Sequence, residues 1–503
     1  MRRTLKAVTL FLGATVCAST LQAATVSDTG VWLTHVRTDL LRFWEKAAQT
    51  AQYQAGEFPG SLCNDGSVPV AGVACGGVIA WRASNPEETL VAQSRQVYSY
   101  GVAYHMTGDT QYLDLAKAGG RYLVDTFYDA NTGLFRDWLD VKKGTLSGIA
   151  NSQKQAYGLL GLSFLHYLTG DEETYAVIER VSDAILQNYA IGDGSYRAKV
   201  GDASAGTGLV YHLDQLNAYQ TLLSLTAPSE DRAAYLAAAK QTADYILQNY
   251  YDETTGLLKL SSTDPDGAAT DYGHTMKAYW FIDQIARMSG DVALSDLVTE
   301  RANAVLARAY REDIGAWATV QDATGVQSNT ADWWSFAELD QFAALQAISD
   351  ESLRAQLEAT QSYWLTHFVD ATYGGIFPYV DLGTGTADLT ARKHYEWMAG
   401  FHAFEHALIS YLAAAAIGDE DAVLYFARQE GGFDFSRLAY GLSSGGYLLN
   451  ESTDDATGLR YQSVSYADLS YGSPPDVPLP ATGGLLFGGC MLLYGARRRR
   501  RRG

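Results

Sequence analysis

One marker recurs at near-constant spacing along this chain and leaves few folds open to it. An aromatic residue and an acidic stretch run into a glycine, and an apolar or aromatic residue follows. The copies are Phe127-Tyr128-Asp129 to Gly133-Leu134-Phe135, Tyr189 to Gly194-Ser195-Tyr196, Tyr250-Tyr251-Asp252 to Gly256-Leu257-Leu258, Tyr310 to Gly315-Ala316-Trp317, and Phe368-Val369-Asp370 to Gly374-Gly375-Ile376-Phe377. Tyr53 to Gly56-Glu57-Phe58 is a looser sixth copy. A period of about 60 residues holds two helices of ordinary length with their connections. Between the markers, Tyr175–Tyr189, Tyr235–Tyr250 and Leu353–Phe368 place apolar residues at i, i+3, i+4 and i+7, the pattern of amphipathic helices. Six helical pairs with no strand-rich segment between them predict an all-α fold, an (α/α)6 barrel in which inner and outer helices ring a central cleft. An open solenoid of the same pairs is the alternative.

Thr107-Gly108-Asp109, Thr169-Gly170-Asp171 and Ser289-Gly290-Asp291 read as joints, where glycine ends one helix and aspartate caps the next. The character changes after about residue 417. Val423–Phe426, Arg437–Tyr440, Tyr447–Leu449 and Tyr461–Val464 read as short strands split by Gly, Ser and Asp turns. The chain therefore divides into a signal peptide (1–23), the barrel (24–417), a small β-rich extension (418–469), a linker (470–476) and a terminal hydrophobic anchor segment (477–503).

Both ends look like addresses. Arg2, Arg3 and Lys6 precede an apolar run at Val8–Val16 and small residues up to Ala23, the order of a secretory signal. At the other end, Val477-Pro478-Leu479-Pro480-Ala481 leads into a mostly apolar stretch and then Arg497–Arg502. This tail resembles the VPLPA variant of the PEP-CTERM sorting signals. That resemblance implies an exported protein, transiently membrane-anchored and handled by an exosortase-type sorting enzyme at the surface of a Gram-negative bacterium. Without the two address segments the chain loses nine basic residues and no acidic ones, so its formal charge goes from -20 to -29. Such a surface repels nucleic acid and suits a neutral substrate. Of four cysteines, Cys17 and Cys490 lie in the address segments. Cys63 and Cys75 remain, and in an oxidising compartment they predict a structural disulfide.

The candidate chemistry lies near the starts of the inner helices. Ser94-Arg95-Gln96-Val97-Tyr98 is followed by Tyr211-His212-Leu213-Asp214 with Asn217, then by Asp271-Tyr272-Gly273-His274 with Lys277 and Trp280. Next come Trp333-Trp334 with Glu338, and a last cluster of His394, Glu396, Trp397, Phe401, His402, Glu405 and His406. On a helix His402, Glu405 and His406 stand at i, i+3 and i+4 and share one face. For any one of these histidines a satisfied structural role is the commoner use. His402-Ala403-Phe404-Glu405-His406 also fits the H-x-x-E-H pattern of inverted zinc peptidases, but no third ligand stands out. The run Asp264 to Asp271 lacks the spacing of a calcium loop and reads as a turn.

From about Leu41 to Leu412 the sequence resembles the N-acylglucosamine 2-epimerase family, which includes cellobiose 2-epimerases and aldose–ketose isomerases. Arg95 in its Arg-Gln pair, Gly273, His274 and Trp280, Trp334 with Glu338, and Phe401-His402 match the order of the family's motifs. The resemblance implies proton transfer at C2 of a ring-opened mono-, di- or oligosaccharide through an enediolate, with no cofactor and no metal. It gives His274 and His402 as the acid and base, Glu338 (or Glu405) as the group fixing a histidine tautomer, and Arg95 as the enediolate's partner. Trp280, Trp334, His212, Asn217, Lys277, Glu405 and Phe401 are expected around the sugar. Two positions depart from the pattern: Lys277 stands where the family has glutamate, and Glu405 where it has arginine. An ammonium at Lys277 is expected to depress the His274 pKa. A glycoside hydrolase or polysaccharide lyase on the same fold, with paired carboxylates (Glu338, Asp340, Glu396 and Glu405 are available) or Tyr/His as acid and base, or a non-catalytic glycan binder, are the alternatives.

Overall fold

The computed structural model describes residues 27–48, 54–76, 87–263, 269–428, 435 and 438–471. The proposed signal peptide, the VPLPA tail and residues 264–268 of the acidic run lie outside the described residues. Among the described residues no helix is long and apolar enough to cross a membrane.

Among the described residues, twelve helices alternate between an outer and an inner ring. The outer ones are α1 (Thr29–Thr34, continued through a π turn into Leu41–Ala48), α3 (Thr110–Phe127), α5 (Glu172–Asn188), α7 (Ser229–Tyr250), α9 (Val292–Ala309) and α11 (Arg354–Tyr363). The inner ones are α2 (Leu90–Thr107), α4 (Ser152–Thr169), α6 (Val210–Gln215, through a π turn into Thr221–Thr226), α8 (Tyr272–Ser289), α10 (Trp333–Ala347) and α12 (Phe401–Gly418). Each inner helix packs on the next, and α12 packs back on α2, so the ring is closed rather than a solenoid. Inner helices are buried almost all round, as α2 is from Leu90 to Met106, because neighbours cover every face. Outer helices bury one stripe, such as Tyr175, Ile178, Val181 and Ile185 of α5.

The repeated marker is the tight reversal from an outer helix to the next inner one. Tyr128–Asp129 pairs with Leu134–Phe135, and Tyr310–Arg311 with Ala316–Trp317. Single bridges at Ala190–Tyr196, Tyr251–Leu258 and Val369–Ile376 make the same turn. The glycine is required there because its φ is left-handed, for example 73° at Gly133 and 77° at Gly374. Inner-helix side chains then pin the residue two positions past the glycine. Gln93 accepts from Phe58 N, Gln155 from Phe135 N, His212 from Tyr196 N and Thr275 from Leu258 N, at 2.9–3.1 Å. The joints are capped as their sequence predicts, with Gly108, Gly170 and Gly290 left-handed and Asp109, Asp171 and Asp291 accepting from the following turn.

After α12 the chain forms an antiparallel sheet of Ala422–Arg428, Arg460–Tyr466 and Tyr447–Thr453. Of the residues expected as a strand at Arg437–Tyr440, Arg437 lies outside the described residues, and Ala439–Gly441 form a tight turn with Tyr440 at φ 73° instead. Leu442–Ser443 pairs with Ser470–Tyr471, which carries the extension into residues expected to begin the linker. The sheet covers the end of the barrel where the inner helices finish: Tyr104 donates to Phe426 O at 2.8 Å and Arg428 to Tyr167 O.

Cys63 and Cys75 are joined, with Cα atoms 5.5 Å apart. The insert they close is fastened to the loop before α12. Asn64 donates to Ala391 O at 2.9 Å and accepts from Lys393 N at 3.1 Å, while Lys393 Nζ reaches Asp370 at 2.7 Å.

Candidate active site

The starts of the inner helices converge on the open end, and their caps fix where each functional side chain stands. Asp271 accepts from His274 N at 2.7 Å, Asp332 from Ser335 N and Asn151 from Lys154 N. Counting two residues on from each pin gives Arg95, Tyr157, Asp214 and Lys277, and the same register reaches Glu338 and Glu405. One side chain from each inner helix therefore forms a single buried layer.

Within it, Lys277 Nζ lies 3.2 Å from Asp214 Oδ1 and donates to Tyr157 Oη at 3.1 Å, and Tyr157 donates to the same Asp214 oxygen at 3.1 Å. Gln153 completes the Asp214 shell at 2.9 Å. The Arg95 guanidinium lies 4.4 Å over the Tyr157 ring and 5.3 Å from both Trp397 and Phe401, and it donates to Trp397 O. Burial disfavours the Lys277 ammonium, but Asp214, Tyr157 and Glu338 outweigh it and raise its pKa.

One turn nearer the opening stand the two histidines. His274 Nδ1–H donates to Asp271 Oδ2 at 3.1 Å, and its side chain is 22% exposed. His402 Nδ1 stands 3.1 Å from Glu338 Oε1, out of line for a good hydrogen bond, and the ring is 5% exposed. The Trp334 indole touches both, with ring centroids 4.5 Å from His274 and 5.8 Å from His402. Their surroundings push the two apart. Burial opposes the His274 imidazolium, yet the Asp271 charge and hydrogen bond overcome both that and Lys277, so its pKa is raised. The expected depression by Lys277 is real but smaller than the attraction of Asp271. His402 goes the other way, held well below the usual range by burial and by Arg95, Lys277 and His274. Glu338 is pushed up to about 7 by burial against the pull of Lys277, His274 and Arg95. Glu405 is raised well above the usual carboxylate range by burial and by Glu338.

Several expected site residues stand elsewhere. His212 is a structural pin: fully buried, it accepts from Tyr196 N and donates from Nε2 to Gly206 O at 3.0 Å, so no ring nitrogen is left for a sugar. Trp280 has no exposed surface and lies against Phe281 and Tyr440. A sugar cannot stack on it. His394 spans Trp44 Nε1 and Pro59 O, and His406 turns to Asp340 at 3.0 Å between Trp32 and Trp364. His406 therefore does not join His402 and Glu405 on one centre. Asn217 lies one turn beneath Asp214 with its amide buried and unpartnered. Phe401 is a buried wall between Tyr98, Tyr157 and His402.

Among the described residues, Glu338, His402 and Glu405 are the group whose ligand atoms, all within 4.8 Å of one another, could hold a cation. Lys277 and Arg95 already bring positive charge to these carboxylates, and we do not read the group as a metal centre. Sequence reasoning missed Tyr157 and named Asp214 as a candidate polar group without giving it a role. The register of the repeat, carried from Arg95 to Lys277, marks both.

A closed ring of helical pairs with charged and aromatic side chains gathered at one mouth defines an (α/α)6 barrel with a candidate active site at the starts of its inner helices. The profile of the N-acylglucosamine 2-epimerase (GlcNAc 2-epimerase) family matches residues 82–395, and the chain belongs to that family of sugar-epimerising enzymes. It is 26% identical to the cellobiose 2-epimerase of Bacteroides fragilis over 272 residues, covering 49% of this chain and 68% of that protein. The structure of cellobiose 2-epimerase from Spirochaeta thermophila superposes with a TM-score of 0.63 at 18% identity, covering 77% of this chain and 97% of the other. The α-1,6-mannanase of Salegentibacter shares the fold more distantly, with a TM-score of 0.50 at 11% identity over 77% of this chain and 100% of its own.

Proposed function

We propose that this protein is an exported 2-epimerase or aldose–ketose isomerase that moves a proton at C2 of a ring-opened sugar. The observation that carries the reading is the pair of imidazoles on one indole, with His402 held neutral and His274 favoured as the imidazolium. Groups driven apart in this way supply a base and an acid at one pH. His402 takes the C2 proton, and the C2–H electron pair forms the C1–C2 double bond of an enediolate whose negative charge falls on O1. Arg95 and Lys277 offset that charge in a water-poor site. His274 then returns a proton to C2 from the other face, giving the epimer; alternatively the O2 proton passes to O1 and a proton goes to C1, giving the ketose. Glu338, 3.1 Å from His402 Nδ1 but out of line, comes into line to orient the base when substrate binds, and Trp334 and the half-buried Trp397 offer faces for the sugar rings.

Incubation with free mono- and disaccharides in deuterated water, followed by NMR, tests this reading. Label entering C2 or C1 is the expected result; no exchange with any sugar sinks it.

A second reading has one observation behind it: Glu338 and Glu405 lie close enough to act as paired carboxylates in glycoside hydrolysis. Release of reducing ends from a polymer, with no label at C2, is its signature. The export and surface-sorting reading rests on the two terminal sequences. Cleavage after Ala23 and loss of the tail in the mature protein, read by mass spectrometry, test it.

A further inference from the structure

The family match ends at residue 395, before the extension begins. Yet the extension sends one side chain back into the barrel. Tyr440 enters the bore from the closed end, where its ring stacks on Trp280 with centroids 6.1 Å apart. Its hydroxyl hydrogen-bonds to the Tyr98 hydroxyl, and Tyr98 Oη lies 3.4 Å from Glu405 Oε1. Three side chains from α2, α12 and the extension thus form one line ending on the carboxylate beneath His402.

The placement is held from both sides. Tyr440 keeps a left-handed backbone, φ 73°, which side-chain-bearing residues rarely adopt. On one side the sheet is fastened to α2 through Tyr104 and to α4 through Arg428. On the other, Tyr471 donates to Asp283 of α8 beneath the Arg287 guanidinium, 4.7 Å from the ring. Gly441, the next residue, packs against Gln284, and an added Cβ would meet it at 3.1 Å.

We propose that Tyr440 is a positioning residue for the catalytic layer: its hydroxyl fixes Tyr98, and through Tyr98 the orientation of Glu405 under His402. The proposal rests on the epimerase reading of that layer. Glu405 faces Glu338 of α10, Lys277 of α8, Arg95 and Tyr98 of α2, and His402 on its own helix. A carboxyl among so many charges needs a fixed direction, and Tyr98 is its hydrogen-bond donor. One proton per hydroxyl gives the line a sense: Tyr440 donates to Tyr98, and Tyr98 to Glu405. Loss of the Tyr440 hydroxyl weakens Tyr98 as a donor and frees the carboxyl to turn.

The test uses the full chain with Tyr440→Phe, Tyr98→Phe and the double variant, each checked by thermal melting. Tyr440→Phe keeps the ring against Trp280 and removes only the hydroxyl. Expected are a kcat about tenfold lower with KM within about twofold, and a double variant no worse than the worse single, as for groups acting in series. Wild-type kcat in Tyr440→Phe, or losses that multiply in the double variant, overturn the proposal. If Tyr440→Phe does not fold, Tyr98→Phe decides alone, and an unchanged kcat there overturns it. Infrared spectra of the resting protein separate this from the function itself. The Glu405 carboxyl band, assigned by its loss in Glu405→Gln, moves in Tyr440→Phe when the line exists and stays fixed when it does not. A moved band in a protein that exchanges no sugar proton sinks the epimerase reading and leaves the line standing.

Discussion

Lys277 and Asp214 form an ion pair 3.2 Å long whose members are each 3% exposed, and Tyr157 donates to the same carboxylate oxygen. The contact joins α8 to α6 in the layer that lies beneath His274 and His402. Glu405 of α12 lies within the electrostatic reach of Lys277.

Removing one partner leaves a buried charge uncompensated. Lys277→Met is expected to cost about 3–5 kcal/mol, and Asp214→Asn a similar amount. The double variant should cost clearly less than the sum, because no lone charge is left behind. Urea denaturation of the four proteins checks this, and additive losses would show that the two residues do not act as a pair.

Asp271 holds the tail of His274 while its other oxygen caps α8. Asn at position 271 still caps the helix, so Asp271→Asn isolates the charge. Without that carboxylate the His274 pKa falls. An acid must be protonated to work, so the alkaline limb of the kcat/KM profile is expected to move to lower pH. Stability follows the same sign. The raised pKa contributes stability that is complete below the unfolded value of 6.5 and lost as pH rises through the folded one. Because Asp271 must itself be ionised for the pair to form, Asp271→Asn should lose stability at mildly acid pH, between the two titrations, and little at strongly acid or alkaline pH.

The Cys63–Cys75 bridge closes a short loop whose Asn64 holds the segment before α12. Cys63→Ser with Cys75→Ser is expected to cost about 3 kcal/mol on the chain-entropy account. Because that segment leads to Trp397, whose carbonyl anchors Arg95, activity should fall along with the melting temperature. A variant with unchanged activity would mean the insert does not support the site.

Much of the barrel is legible in the amino-acid order. The marker sets the period, since only a glycine takes the left-handed turn that each reversal needs. His274, Glu338 and His402 stand out only through the order of motifs in the family the sequence resembles, since a histidine at a helix start is as readily a structural pin, as His212 is. His212 and Trp280 mislead for a physical reason. A histidine can accept a backbone N–H as well as glutamine or threonine can, and the register with Gln93, Gln155 and Thr275 shows that use only once the hairpins are placed. Trp280 lies six residues past His274, nearly two turns deeper, where Tyr440 covers it. Nothing in the pattern of Ala439–Gly441 announces that its tyrosine turns left-handed into the bore.

The central claim is that His274 and His402 work on opposite faces of one carbon, and loss of deuterium from C2 measures it most directly. A sugar and its C2 epimer, each deuterated at C2, are given separately to His274→Asn and His402→Asn, and release of label to water is followed. The account predicts that each variant still releases label from one epimer and not the other, with the preference reversed between them. Equal release from both epimers by either variant, or full release by both, would contradict it.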